Sequence, residues 1–313
     1  MNNILILYTD PNEKSDLVLS AQALKAVFRK FRKSISVSLL NIDLSPSCRS
    51  EVKKLIESNA AKADCIMFCE KQNELNEETL FLKDCFKTHS AQYFSSGKCI
   101  CYPVTTYSVK ESEGIIDTVS HTDISAVEKA AALAINSASF AKELLICTDT
   151  EKDSDKFIYN EFINSMASAR GFSVEHFDFA KMLSVLSEKI PSCNVILTVQ
   201  DIARILAMHI NALNRFPTGY SVFHGDKVRI YKKAFLPCED FSNISYASLL
   251  IGCAGMIENE LGFKNISIQL RKAVTRSLEK CAFESKHDFQ RHLLIEINSP
   301  IRHRQVKTNE GNN

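Results

Sequence analysis

Residues 193–213, CNVILTVQDIARILAMHINAL, pass from an apolar run into a segment of helical spacing. A strand that opens directly into a helix is where α/β proteins commonly place ligand chemistry. There the chain carries Arg204 and Met208, four apart and so on one helix face, with Asp201 three residues before the arginine: a cation and a thioether stand at an address for ligand chemistry. The eleven cysteines fall mostly inside apolar runs such as DCIMFC and KCICYP, with no Cys-x-x-Cys or Cys/His pairing. They are expected to be reduced, buried thiols and not a zinc site, although Cys65 and Cys69 could share a strand face. No G-x-G-x-x-G, G-x-x-x-x-G-K-[ST] or G-x-S-x-G occurs among only nine glycines, so the common phosphate-cradling loops are absent.

The elements that must position these residues alternate. NILILY, SISVSLLNI and DCIMFC have the composition of buried strands. Between and after them lie helical patterns: DLVLSAQALKAVFRKF, SEVKKLIESNAAK and NEETLFLKDCFK. This order predicts a largely parallel sheet covered by helices. GKCICYPVTTYSV and EGIIDTVSH are short strand-like pieces before a long helix over 123–142, with Asp123 as its N-cap. Strands ELLICT, FSVEHFDF and CNVILTV then alternate with helices over 155–171 and 180–189. Residues 220–243 form a loop-rich return with short strands, followed by an apolar helix rich in small residues and an amphipathic one over 264–283. From Ser299 the chain lacks core residues and is expected to be a disordered tail.

With 313 residues the chain suffices for one large or two medium domains. Its net charge of +1 favours neither a nucleic acid nor a membrane surface. It has no apolar stretch long enough for a span, and NILILY is too short for a signal peptide. A cytoplasmic location is therefore expected.

From Asp117 onward, order and spacing resemble the β-decarboxylating isocitrate and isopropylmalate dehydrogenases. IIDTVSHTDISAVEKAAALAI is similar to that family's D-T-x-x-Y-[ST]-x-x-E-x-x-R-I-A-x-x-A-F segment, and VEHFDFAKM to its D-A-A-A-M. CNVILTVQDIARILAMHINAL is similar to D-V-x-V-T-x-N-L-F-G-D-I-L-S-D-x-A-x-x-L, and NISYASLLIGCAGMIENELG to its N-P-x-A helix. At the start, NILILYTDPNEKSD resembles I-x-x-L-P-G-D-G-I-G-P-E, keeping only Asp10 of the turn. The resemblance implies an α/β, two-domain fold with a mostly parallel central sheet flanked by helices. Residues 1–97 and 220–298 would form a discontinuous large domain, 98–219 a second domain with a dimerisation surface, and 299–313 the tail. It also implies oxidative decarboxylation of a malate-type acid with NAD or NADP and a Mg²⁺ or Mn²⁺ ion.

Residue by residue, the implied machinery is depleted. Two metal carboxylates of the family align with Arg204 and Met208; the third aligns with Asp178, which survives. The catalytic Lys aligns near Thr150, with Lys152 off register, and the catalytic Tyr aligns with His121. Of the substrate-clamping arginines, one aligns with Lys83 and one with Phe94. The adenine loop aligns with KKAFLP, beginning at Lys232 and Lys233, and the following Asn-Pro with Ser245 and Tyr246. FHGD at 223–226 offers an alternative, displaced cofactor loop.

Each of these residues also has an ordinary structural use. Asp178 can cap the next helix, His121 can sit in a turn, Lys83 can lie on an exposed helix face, and Lys232–Lys233 can be a solvated pair. Three functions are thus in play. The foremost is a divergent, catalytically inactive protein with a structural, regulatory or repurposed binding role, needing no cofactor and pairing as a homodimer or with a catalytic paralogue. The second is an active decarboxylase with a rearranged site, Asp178 joining other carboxylates such as Asp201. The third is a metal-free anion-binding protein using Arg204, Lys83 and His121.

Overall fold

The computed structural model describes residues 2–43, 45, 47–69, 81–82, 85–95, 99–103, 106–112, 115–121, 124–137, 143–148, 164–188, 195–198, 202, 205–207, 209–210, 213, 218–225, 227–233 and 242–300. In chain order the elements begin β1 (Asn2–Tyr8), α1 (Lys14–Lys30), β2 (Ile35–Asn41), α2 (Arg49–Ala60), β3 (Cys65–Cys69), β4 (Thr88–Ser95), β5 (Cys99–Pro103), β6 (Thr106–Ser112) and β7 (Ile115–His121). They continue α3 (Ile124–Ser137), β8 (Glu143–Thr148), α4 (Asn164–Ala169), β9 (Ser173–Asp178), α5 (Phe179–Glu188) and β10 (Val195–Thr198). β11 (Gly219–Gly225), β12 (Arg229–Lys233), α6 (Ser242–Asn259), α7 (Lys264–Cys281) and α8 (Lys286–Asn298) follow.

Alternate residues of β1, β3, β8 and β10 feed different cores. Ile4, Ile6 and Tyr8 of β1 face one cluster with Met67, Tyr231 and the buried faces of α1, α6, α7 and α8; Leu5 and Leu7 face another with Ile66, Phe68 and Val52 and Ile56 of α2. Farther along the sheet, Leu144, Ile146, Val195 and Leu197 meet Ala130, Ala131 and Ala134 of α3. On the opposite face Leu145, Cys147 and Ile196 meet Met182 and Leu186 of α5. Strands that are apolar on both faces require helices on both, which is the doubly covered α/β arrangement.

Ten strands form one sheet in the order β2-β1-β3-β12-β11-β4-β5-β10-β8-β9, and β6 and β7 form a separate pair. The sheet is parallel except across β12–β11, β11–β4 and β4–β5. Three reversals mean that β5, β10, β8 and β9 run opposite to β1, β3 and β12. The carboxyl ends of the two parallel halves therefore lie at opposite edges of the sheet.

Three expectations need correction. The short strands expected within 220–243 are β11 and β12, but they do not return over the surface: they pair with each other in the middle of the sheet, where Tyr220, Val222, Tyr231 and Ile230 supply apolar residues to both faces. Of FHGD, residues 223–225 are the end of β11, where Gly225 donates its N–H to the Val228 carbonyl at 3.0 Å; Asp226 lies outside the described residues. Ser299 still belongs to the fold, closing α8 by donating its N–H to the Ile295 carbonyl at 3.0 Å. The rest of the expected tail, 301–313, lies outside the described residues, as does Asp123.

Candidate functional site

The strand–helix junction singled out in the sequence lies at the carboxyl edge of β5, β10, β8 and β9. There Thr198 pairs with Pro103 on one side and Cys147 on the other, and Thr148 pairs with Asp178. The buried Thr198 hydroxyl donates to the Cys147 carbonyl at 2.6 Å, tying β10 to β8 at their ends. Burial pushes the Cys147 thiol up to about 12, the Thr198 hydroxyl pulls the other way, and the negative charge of Asp178 adds to the rise. A thiol so placed stays protonated and is no nucleophile. Burial lowers the His176 pKa, with Asp178 opposing it.

After β10 the chain is helical at Ile202, Ile205–Ala207 and His209–Ile210. Leu206 and Ile210 face the core with Met182 and Leu186 of α5, and Ile202 packs beside them. His209 lies 3.0 Å from the Ser187 hydroxyl through Nε2. That hydroxyl donates to the Leu183 carbonyl at 2.8 Å, so it accepts from the imidazole and is not activated as a nucleophile.

Asp178, exposed at the end of β9, accepts the Lys181 backbone N–H at 2.7 Å through Oδ1. This is an N-cap bond at the third residue of α5. Among the described residues no group of three or more His, Cys, Asp and Glu could hold a metal ion. The described residues around Asp178 do not fit a Mg²⁺ or Mn²⁺ ion, which needs several oxygens converging.

The other expected positions are dispersed. His121 is not in a turn: it ends β7, paired with Thr106. Lys232 is not solvated. It pairs with Ser221 and Phe68 in the sheet, is 8% exposed, and holds its ammonium 5.9 Å from the centre of the Phe223 ring. The buried face of β12 explains this, since Lys232 follows Ile230 on the same side. Lys233 and Ser245 are half-buried, on β12 and in the first turn of α6. From β12 to β9 there are six strand steps in the sheet order, roughly 30 Å. Asp178 is thus separate from Lys232, Lys233 and Ser245. Lys83, Thr150, Asp201, Arg204 and Met208 lie outside the described residues.

The displaced-loop alternative for a dinucleotide does not fit. A Cβ at Gly225 would meet the Phe86 carbonyl oxygen at 2.6 Å and that of Val228 at 3.1 Å, so this glycine serves close strand packing and leaves no approach for a phosphate. The sequence reading missed the polar group built by Glu260, whose Oε1 accepts from Tyr231 at 2.7 Å and from Arg229 at 3.0 Å. The alternation R-I-Y-K-K in β12 is its signal in the sequence, and the group ties β12 to the residue just after α6.

No protein-family model matches the chain, and no curated protein matches it in sequence. Solved structures do match in fold. The β-decarboxylating dehydrogenase of Thermococcus kodakarensis, in its apo form, superposes with a TM-score of 0.74 at 15% identity, over 95% of this chain and 96% of that one. The isocitrate dehydrogenase of Methylococcus capsulatus gives 0.76 at 8% identity, over 96% and 100%. The TT0538 protein of Thermus thermophilus gives 0.75 at 13%, over 97% and 70%. The fold is therefore isocitrate/isopropylmalate dehydrogenase-like, strongly diverged in sequence.

Proposed function

We propose that this chain keeps the isocitrate/isopropylmalate dehydrogenase-like fold without its reaction, and serves as a structural, regulatory or repurposed binding subunit in the cytoplasm. The observation that carries the reading is the cap at Asp178: the one carboxylate retained at an aligned metal position is occupied in closing α5. The alignment adds Arg204 and Met208 where the other two carboxylates belong, Thr150 and His121 where the Lys and Tyr belong, and Lys232, Lys233 and Ser245 in place of the adenine contacts. Losing one ligand can tune a metal; losing two ligands, both proton-handling groups and the adenine loop removes the chemistry.

On this reading no NAD, NADP, Mg²⁺ or Mn²⁺ is required, and the chain acts as a homodimer or beside a catalytic paralogue through residues 98–219. The division into a discontinuous large domain and that second domain belongs to the same proposal. Among the described residues no helix is long and apolar enough to cross a membrane.

Thermal stability with Mn²⁺, NAD⁺, NADP⁺, isocitrate and isopropylmalate, singly and combined, tests it. A ligand at a hundred times its Kd stabilises by about 2.7 kcal/mol, a shift of several degrees or less for a chain this size. No metal-dependent shift is expected. A shift that needs metal and acid together would overturn the reading, and one with an acid alone would favour the metal-free anion pocket.

A further inference from the structure

A cleft of about 750 Å³ runs between α1 and α8, lined among the described residues by these two helices and the Ser299 cap alone. The two helices are parallel and in register. Lys286 meets Asp16 at 2.7 Å at their N-terminal ends, Gln290 donates to the Leu19 carbonyl at 3.3 Å midway, and Lys30 donates to the Ile297 carbonyl at 2.8 Å at their C-terminal ends. The groove follows α8 from His287 to Ser299, about 18 Å at 1.5 Å per residue.

Its floor is apolar, with Leu19, Leu294 and Ile295; Ile295 is 53% exposed, and Val18 on the adjoining turn of α1 is 40% exposed. Its borders are basic: Arg291 lines it from α8, with His287 beside it, and beyond the lining the exposed Lys25 and Arg29 continue the stripe of α1 that begins at Val18 and Gln22. Among the described residues no Asp or Glu lines it. The carboxylates at the N-terminal ends of the two helices are engaged: Asp16 with Lys286, and Asp288 with the Ser285 hydroxyl.

A groove about three turns long, with an apolar patch of Leu19, Leu294 and Ile295 bordered by basic side chains, fits one face of an amphipathic helix. Charge selects the occupant. The segment of this chain after Pro300, IRHRQVK, carries the same sign as the rims. A second copy docked groove to groove about a two-fold axis would bring Arg291 to a lining that, like its own, holds no described Asp or Glu to pair with it. We propose that the α1–α8 groove receives an amphipathic helix with acidic flanks from a different protein. Neither turnover nor metal binding enters this inference.

Fluorescence anisotropy of the full chain with a labelled helical peptide of about 18 residues, leucines on one face and glutamates flanking them, tests it. A counterpart with lysine flanks is the comparison. The acidic peptide is expected to saturate and to bind at least about tenfold more tightly than the basic one, with the gap closing as salt rises. Ile295→Asp should weaken binding about tenfold with an unchanged melting temperature, because that side chain is half-exposed. Arg291→Glu should narrow or reverse the preference. Equal binding of the two peptides, no binding of either, or indifference to Ile295→Asp would overturn the proposal. So would a dimer in sedimentation that Ile295→Asp dissolves, or acidic-peptide binding seen only after residues 301–313 are removed.

Discussion

Asp178 and Lys181 are joined by a 2.7 Å hydrogen bond from the lysine's backbone N–H to the carboxylate, so the last residue of β9 is also the cap of α5. The bond decides how this carboxylate is used. A side chain that satisfies a helix N-terminus is held in place by the fold and gains from the positive end of the helix dipole. It needs no metal to account for its presence.

Replacing Asp178 therefore costs stability in proportion to the lost acceptor. Asp178→Ala is expected to destabilise by about 1 kcal/mol and Asp178→Asn by far less, since an amide oxygen also caps. Chemical denaturation measures both. Equal losses for the two variants would show that the charge, and not the acceptor, is what the fold uses.

Gly255 on α6 leaves room for the ring of Tyr220 on β11. A Cβ there would come within 2.5 Å of the ring's Cζ. Tyr220 is fixed by its stacking on Tyr231 at 6.1 Å and by the Arg271 guanidinium 5.9 Å from its ring. Gly255→Ala is expected to cost roughly 1–3 kcal/mol by overpacking. Gly262, at φ +69° with open space around it, should lose about 1 kcal/mol as alanine through backbone strain alone. Gly252 and Gly255 of α6 thus face the chain's own sheet, against Met67 and Tyr220.

Acid should weaken the α7–α8 contact. Burial raises the pKa of Glu296, but hydrogen bonds from Lys280 and Arg276, each at 3.2 Å, outweigh it and leave the group below its ordinary 4.5. A folded-state pKa below the unfolded one gives stability that is present above the unfolded value and lost as pH falls through the folded one. Stability measured from pH about 5 downward should fall less steeply in Glu296→Gln than in the wild type. Parallel slopes would remove Glu296 from the acid response.

Thiol labelling should follow burial. Cys253 is pushed up to about 12 by burial, and burial beside Cys253 also raises Cys65. Peptides containing Cys65, Cys147 or Cys253 should stay unmodified by maleimide in the native protein, while Cys48 and Cys85, only half-buried, label before them. Early labelling of Cys147 would mean that the end of β8 opens to solvent.

Much of the architecture is legible because burial is periodic. NILILY and DCIMFC are apolar on both faces and read as covered strands, and Leu17, Leu24 and Phe28 mark the inner side of α1. β4, THSAQYFS, is not legible: polar and aromatic residues alternate weakly, and its place depends on pairing with β11, more than a hundred residues away. α8 carries a signal in its Ser285–Asp288 cap and in Phe289, Leu293 and Ile297, all buried at four-residue spacing. For the site, the cap at Asp178 is readable from a carboxylate just before a helix. The burial of Lys232 is not, because two adjacent lysines look solvated until the hairpin is placed in the middle of the sheet.

The most direct test of the central claim is NAD(P)H formation by the purified protein with Mn²⁺ or Mg²⁺, NAD⁺ or NADP⁺, and malate-type acids including isocitrate and isopropylmalate. The expected result is no product above a no-enzyme control with any combination. Metal-dependent product formation that Asp178→Ala abolishes would contradict the account and return Asp178 to a working metal site.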